Sequence, residues 1–203
     1  TYTVGACLQE AFENAGITVS VDDVNSVMGI TKPEAVKMLL ERFQSDADAD
    51  AIHEDYRNRM IASYQTSEDL GEIEGTSEVF QFLRDKGIRI CLNTGFDRLT
   101  TNVLLSRMSW DGLVDDSITS DEVPHGRPHP DMILELCRRA GVEPSQVLKV
   151  GDAPADIQEG KNAGAGLVVG VLYGTHNRTQ LEPFEPDMLI EDIRELLTLE
   201  LEG

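Results

Sequence analysis

The chain has 203 residues, 40% hydrophobic and 27% charged. That is enough for one large domain, or for a domain with a smaller companion, in an ordinary globular balance. Its net charge of −20, from 37 acidic against 17 basic residues, is the wrong sign for a nucleic acid backbone or an anionic membrane, so neither is expected as a partner.

The acidity reads as a strongly solvated surface, or as adaptation to salt. No apolar run is long enough to span a bilayer and no signal-peptide pattern opens the chain. Cys7, Cys91 and Cys137 stand far apart, which fits apolar packing in a reducing cytoplasm better than a disulfide framework or a zinc site. Thr1 stands where an initiator Met would, and the helical pattern starts at once, so a native start further upstream is expected.

The first third reads as helices. Leu8, Ala11, Phe12 and Ala15 recur at i, i+3, i+4 and i+7, with Gly16 as the stop. Ser20 and Asp23 have capping-box spacing ahead of Val24, Val27 and Met28, and Gly29 breaks that run. Thr31 and Glu34 make a second capping box, with Pro33 in the first turn, before a stripe of Val36, Leu39, Leu40 and Phe43. "SDADAD" (45–50) is a polar hinge leading to a helix with Ile52, Tyr56, Met60 and Tyr64. These helices, over about residues 5 to 67, predict a small helical domain. The division is placed at 1–70 and 71–203.

From Gly75 the grammar changes. A helix with Val79, Phe80 and Leu83 ends at Gly87, and the β-like run "IRICLN" (88–93) follows. Next come a helix with Leu99, Val103 and Leu104, a weak strand near Ile118, a Pro-rich loop, and the helix "DMILELCRRAG" (131–141). The strand "QVLKVG" (146–151), another helix, the strand "LVVGV" (167–171), a long loop and a strand–helix pair around "DMLIEDIRELL" (187–197) complete the chain. Alternation of strand and helix predicts an α/β fold with a doubly wound, Rossmann-like parallel sheet, whose ligands sit at the carboxyl ends of the strands.

Three such strand ends carry chemistry-bearing residues. Thr94-Gly95 offers a hydroxyl and a backbone N–H for a phosphoryl oxygen, or is an ordinary strand-to-helix turn with Asp97 as cap. Arg127, in the Pro- and Gly-framed "DEVPHGRPHPD" (121–131), pairs with a phosphate and a carboxylate, or is a surface Arg. Asp152, with Asp156 one helical turn on, ligates Mg²⁺, or the pair forms an N-cap with a dipole-complementing acid. The glycines around Asp152 permit close approach and favour the metal reading.

Together Thr94, Arg127 and "GDAPADIQEGKNAG" (151–164) resemble the haloacid dehalogenase superfamily in order and spacing. "NTGFDR" (93–98) and "HGRPHPDM" (125–132) resemble its phosphonatase-like branch, related to phosphonoacetaldehyde hydrolase. The resemblance implies a helical cap over a hydrolase core. It also implies a Mg²⁺-dependent phosphohydrolase acting on a small phosphorylated metabolite through an aspartyl-phosphate. Thr94, Arg127 and Asp156 would be catalytic, Asp152 and Asp156 would hold the metal, and Gly95, Lys32 and Met28 would meet substrate. The family's nucleophilic Asp belongs to a DxxGT-type motif on a central strand. No such motif occurs in this sequence, so it is expected upstream of residue 1, and the chain alone is expected to be inactive.

The stretch "VMGITKPEAV" (27–36) bears on substrate. In the phosphonatase-like branch a Lys at the Lys32 position forms a Schiff base with an aldehyde. Such a Lys must be partly neutral, through desolvation or a cationic neighbour. Ala35 stands where that branch has a proton-transferring His, so Lys32 is expected first as a substrate-binding cation, then as an imine former, then as an exposed first-turn Lys. The alternatives are therefore carbon–phosphorus cleavage using Lys32, or a non-catalytic phosphate- or metal-binding relative. The partner is a small phosphorylated or phosphonate substrate, and the assembly a monomer or homodimer. His125 and His129 are expected to pack the loop, Arg98 to begin a helix, and Trp110 to be core; His53 and His176 carry no signal.

Overall fold

The computed structural model describes residues 4–28, 30–68, 70–110 and 112–200. The expectations resting on Thr1 and Gly29 lie outside the described residues.

Helix α1 (Val4–Asn14) ends in the left-handed turn at Gly16 and buries Cys7, Leu8, Ala11 and Phe12. Helix α2 (Val21–Asn25) is started by the reciprocal Ser20–Asp23 box: Asp23 N donates to Ser20 Oγ at 3.1 Å, and Ser20 N to Asp23 Oδ2 at 3.0 Å. The expected box at Thr31 does not form. Helix α3 (Lys32–Arg42) starts on Pro33, whose fixed φ suits a first turn. The Thr31 methyl is instead packed so tightly on Gly126 that a Cβ there would lie 2.2 Å from it. The α3 stripe stops at Leu40; Phe43 is exposed. Helix α4 (Ala49–Thr66) is capped by Asp48 and buries Ile52, Tyr56 and Met60. The four helices share one apolar core, where each large side chain contributes about 1.5–3 kcal/mol.

The rest is α/β. Helix α5 (Thr76–Asp85) leads to strand β1 (Cys91–Thr94), helix α6 (Arg98–Leu105) and strand β2 (Asp116–Thr119). Helix α7 (Asp131–Ala140), strand β3 (Leu148–Gly151), helix α8 (Pro154–Ala163) and strand β4 (Leu167–Val171) follow, then helix α9 (Arg178–Leu181) and strand β5 (Met188–Ile190). All pairing is parallel: β1 with β2 in one sheet, and β3–β4–β5 in the other. A second core, including Val79, Leu83, Ile90, Val169 and Ile190, packs these layers.

Two expectations change here. In α6 the inward residues are Thr100 and Thr101, and Leu99 is 57% exposed; the Asp97 cap, accepting from Thr100 N at 2.7 Å, fixes the helix start and so its facing. The terminal helix is a 3₁₀ run, Ile193–Thr198, in which Leu196 alone is buried. So little packing gives no reward for a longer helix. Trp110 is half-buried, its ring tilted on Phe80 at 5.4 Å and its Nε1 donating to Glu72.

Between β1 and β3 no ladder hydrogen bond joins the two sheets among the described residues. Side chains link them instead: Lys149 Nζ donates to Asn93 Oδ1 at 2.9 Å, and Asn93 Nδ2 donates to both oxygens of Glu159.

Candidate active site

The carboxyl ends of β1 and β2 turn toward the helical part, and a cavity of about 460 Å³ lies between them and it. Lys32 lines it from α3, Gly95 from the turn after β1, and Arg127 from the loop after β2. Gly95 has little room for a side chain, because a Cβ would sit 3.2 Å from the Ile30 carbonyl oxygen and 3.4 Å from Arg127 Nη2. Thr94, at the end of β1, accepts from Phe96 N through its hydroxyl oxygen at 3.2 Å and keeps its own proton to donate. Met28 lies behind Lys32, beside an adjoining opening of about 530 Å³ that Pro128, Ala155 and His176 also line.

Arg127 rests on a buried charge cluster. Its Nη1 donates to Asp156 Oδ1, which also accepts from Lys149 Nζ at 3.0 Å. Lys149 in turn pairs with Glu159 at 2.8 Å. Asp156 and Lys149 are 3% and 6% exposed and Glu159 is fully buried. Burial alone would raise the Asp156 carboxyl pKa, but the Lys149 and Arg127 cations outweigh it and hold it well below the usual range. Burial likewise weakens Arg127's hold on its proton, and Asp156 and Glu159 more than restore it. Arg127 Nε is buried with no hydrogen-bond partner among the described residues. A guanidinium fixed from behind, with an unspent donor, suits an anionic ligand.

Asp156, expected as a metal ligand, has its carboxylate engaged by protein groups here. One oxygen serves two cations and the other accepts from Ala153 N at 3.2 Å. Its position follows from Gly151, where a Cβ would fall 2.3 Å from that of Asp156. Asp152 is different. Its Oδ2 accepts from the Thr175 backbone N and hydroxyl, both at 2.7 Å, and Oδ1 has no partner among the described residues. Those residues contain no cluster of three or more His, Cys, Asp or Glu that would hold a metal alone. Mg²⁺ keeps several waters and takes one or two carboxylates with substrate phosphate, and Asp152 fits one place in such a set.

Lys32 is not the exposed first-turn Lys among its alternatives. It is 6% exposed, with Nζ 3.9 Å from Met28 Sδ. Burial, with Arg127 nearby, pushes its pKa down to about 8. Of the other residues singled out, Arg98 is held by Glu122 and Ser117 at the start of α6, and His125 by Asp131 at 3.0 Å. His125 and His129 lie with tilted rings 5.0 Å apart on the cavity rim. Lys149, Glu159, His53 and Tyr56 were not marked as site residues by sequence. A charge inside the apolar strand "VLKV" was the available signal for Lys149. Tyr56 sits on the apolar stripe of α4, yet it and His53 line the cavity.

Residues 3–164 match the haloacid dehalogenase-like hydrolase family. The chain is 28% identical over 201 residues to a phosphonoacetaldehyde hydrolase of Bacillus cereus, covering 92% of this chain and 75% of that protein. It is 30% identical over 182 residues to the protein of that name from B. cereus strain ATCC 14579, covering 81% and 67%. A hydrolase from Pseudomonas syringae superposes with a TM-score of 0.86 at 21% identity over 98% of this chain and 92% of its own. A phosphonoacetaldehyde hydrolase-like protein from Oleispira antarctica gives 0.80 at 22% identity, over 94% and 82%. These two establish the shared fold, an α/β Rossmann-like core. With a family model matching most of its length, the chain belongs to the haloacid dehalogenase-like hydrolases.

Proposed function

We propose that this chain serves a Mg²⁺-dependent hydrolase that cleaves the carbon–phosphorus bond of a small phosphonate aldehyde, with Lys32 as the imine-forming amine and residues 1–70 as its cap. One observation carries the reading: an ammonium group buried on the cavity wall, against a thioether and near a second cation, holds its proton loosely. Burial beside a second cation also strengthens phosphate binding, but only an amine nucleophile requires the lowered pKa. The names of the curated relatives support the same substrate class.

In this reading the neutral Lys32 amine attacks the aldehyde carbon and water leaves as the C=N bond forms. The C–P bond then breaks with its electron pair moving toward the iminium nitrogen, while phosphorus passes to a nucleophilic aspartate outside the described residues. Arg127, the Thr94 hydroxyl and the Gly95 N–H hold phosphoryl oxygens, each contact contributing about 3 kcal/mol at the transition state by analogy with oxyanion-hole donors. Asp152 would hold Mg²⁺, which would supply charge neutralisation at the phosphoryl group. The enamine carbon left by C–P cleavage takes a proton from solvent, water then hydrolyses the imine to free Lys32 and the aldehyde product, and a second water releases phosphate from the aspartate. The three free cysteines, two of them buried, suit a reducing cytoplasm.

The test is reduction. Phosphonoacetaldehyde with borohydride adds the reduced substrate's mass to the peptide containing Lys32. Absence of an adduct, together with turnover of simple phosphate esters, would favour a phosphomonoesterase instead. The observation behind that second reading is Ala35, which stands three residues after Lys32 where the phosphonatase-like branch has a proton-transferring His. In the turnover-competent protein, Asp152→Asn abolishes Mg²⁺-dependent activity and leaves the thermal midpoint within a few degrees. Near-normal activity at saturating Mg²⁺ removes Asp152 from the site.

A further inference from the structure

Helix α3 starts without a hydrogen-bonded cap, although Thr31 is a residue type that usually supplies one. Thr31 contributes a methyl group instead. A Cβ built at Gly126 would lie 2.2 Å from Thr31 Cγ2, but 3.7 Å from Thr31 Cβ and from Ser120 Cβ. The Thr31 methyl thus fills the volume that a side chain at position 126 would take. One residue earlier, the Ile30 carbonyl oxygen lies 3.2 Å from where a Cβ at Gly95 would be. The two residues before Lys32 are therefore each seated on a glycine of the α/β part, one in the turn after β1 and one in the loop after β2. Neither glycine has a positive φ, so it is the space, not the backbone conformation, that asks for glycine here. The seat is fixed. Ser120 Oγ donates to the Gly95 carbonyl at 3.0 Å and ties the two strand ends together. Arg127, next to Gly126, is anchored by Asp156.

We infer that Thr31 and Gly126 form a steric interlock that positions the Lys32 amine relative to Arg127, an inference that rests on the reading of Lys32 above. Both are positioning residues and neither touches the reacting atoms. Lys32 follows Thr31 and Arg127 follows Gly126, so the contact between Thr31 and Gly126 joins the backbones that carry the two cations. All four residues line the same cavity. After burial, the Arg127 charge is the second influence on Lys32, so the two groups are near enough to act on each other. The substrate class makes their spacing matter. In phosphonoacetaldehyde one CH₂ separates the aldehyde carbon from phosphorus. With the phosphoryl group held at Arg127, the aldehyde carbon has little freedom to seek the amine, and Lys32 has to stand at a set distance from the guanidinium. Contact packing supplies that constraint, because dispersion is lost within an ångström of separation and overlap is forbidden.

The experiment moves the methyl from one side of the interlock to the other. Two rates are read on the whole chain: borohydride trapping of phosphonoacetaldehyde on Lys32, and amide hydrogen exchange in the first turn of α3. Gly126→Ala puts two methyls in one volume. It traps about 100-fold more slowly, and the first turn of α3 exchanges faster while the other helices keep their protection. Thr31→Ser leaves a methyl-sized hole and traps about two- to tenfold more slowly. The double variant, Thr31→Ser with Gly126→Ala, refills the hole from the other side. It traps about tenfold faster than Gly126→Ala alone, the coupling expected of side chains in contact, and regains the exchange protection. Wild-type trapping in Thr31→Ser and Gly126→Ala overturns the inference. So does a slow Gly126→Ala that Thr31→Ser fails to relieve, because the effect would then run through the Arg127 backbone. If Gly126→Ala does not fold, the double variant still decides: recovery of fold and trapping supports the interlock, and continued failure overturns it. No adduct in the wild type overturns the imine reading. The exchange rates then judge the interlock separately, and unchanged protection in Gly126→Ala removes it.

Discussion

Lys32→Arg loses the aldehyde adduct, and in the turnover-competent protein it loses at least about 10³-fold in activity, although the positive charge is kept. A guanidinium stays protonated at any working pH and offers no free amine, and removing a covalent nucleophile costs on this scale or more. A Lys32 that merely attracts phosphate would tolerate the change in part, so substantial retained turnover without an adduct refutes the imine role. The pKa gives a second handle. With the group at about 8, the reactive neutral fraction rises as pH approaches 8, so the trapping rate climbs over that range and then levels.

The same burial predicts a stability effect of opposite sign. The Lys32 pKa in the fold lies below the ordinary 10.5, so between about pH 8 and 10.5 the unfolded chain binds the extra proton, and stability rises with pH there. Below pH 8 the buried ammonium costs the fold roughly 3 kcal/mol. Lys32→Met, which keeps the volume and drops the charge, is therefore expected to be inactive yet to unfold at higher denaturant at pH 7. A residue that lowers stability and is retained in a cavity wall is what a working group looks like. An unchanged or lower midpoint for Lys32→Met, with the fold intact, would show that the ammonium is solvated.

Much of this was legible in sequence because it is local. Thr94-Gly95, Arg127 and Asp152 each follow an apolar run and precede a helix start, and strand ends gather at one face of a parallel sheet. The Ser20–Asp23 box is a four-residue matter and formed as read. What the sequence did not reveal is non-local. Thr31 did not cap α3 because its methyl packs on Gly126 of a distant loop, and that same docking puts Lys32 inside. Asp156 carries metal-ligand spacing, but its oxygens answer to Lys149 on β3 and Arg127 on the β2 loop, neighbours that only the chain topology creates. Periodicity placed Tyr56 on the buried face of α4, and it is buried; no pattern reveals that its hydroxyl finds nothing there to bond.

Asp156→Asn tests that cluster and is expected to be the most destabilising conservative change in the core. The carboxylate is shared by Arg127 and Lys149, whose side chains are 12% and 6% exposed. An amide oxygen can still accept from Ala153 N, but it cannot balance two cations. Glu159 remains 2.8 Å from Lys149 and is not hydrogen-bonded to Arg127 among the described residues, so the guanidinium is left buried without its carboxylate partner. Breaking a buried pair by removing one member costs about 3–5 kcal/mol, or roughly 6–20 °C in thermal midpoint for a chain of this size. The pH dependence carries the signature. Asp156 has its folded pKa depressed, so its stabilisation is fully present above the unfolded carboxylate pKa of about 4 and is lost as pH falls below that toward the folded value. The wild type should therefore lose stability steeply below pH 4, and the Asn variant, already lacking the contribution, should show a shallower acid limb. Adding Lys149→Met removes one of the two cations and should return part of the loss. An Asp156→Asn protein within about 1 kcal/mol of wild type at pH 7 would mean that the charges are balanced elsewhere, and that Arg127 is not held for its substrate by this carboxylate.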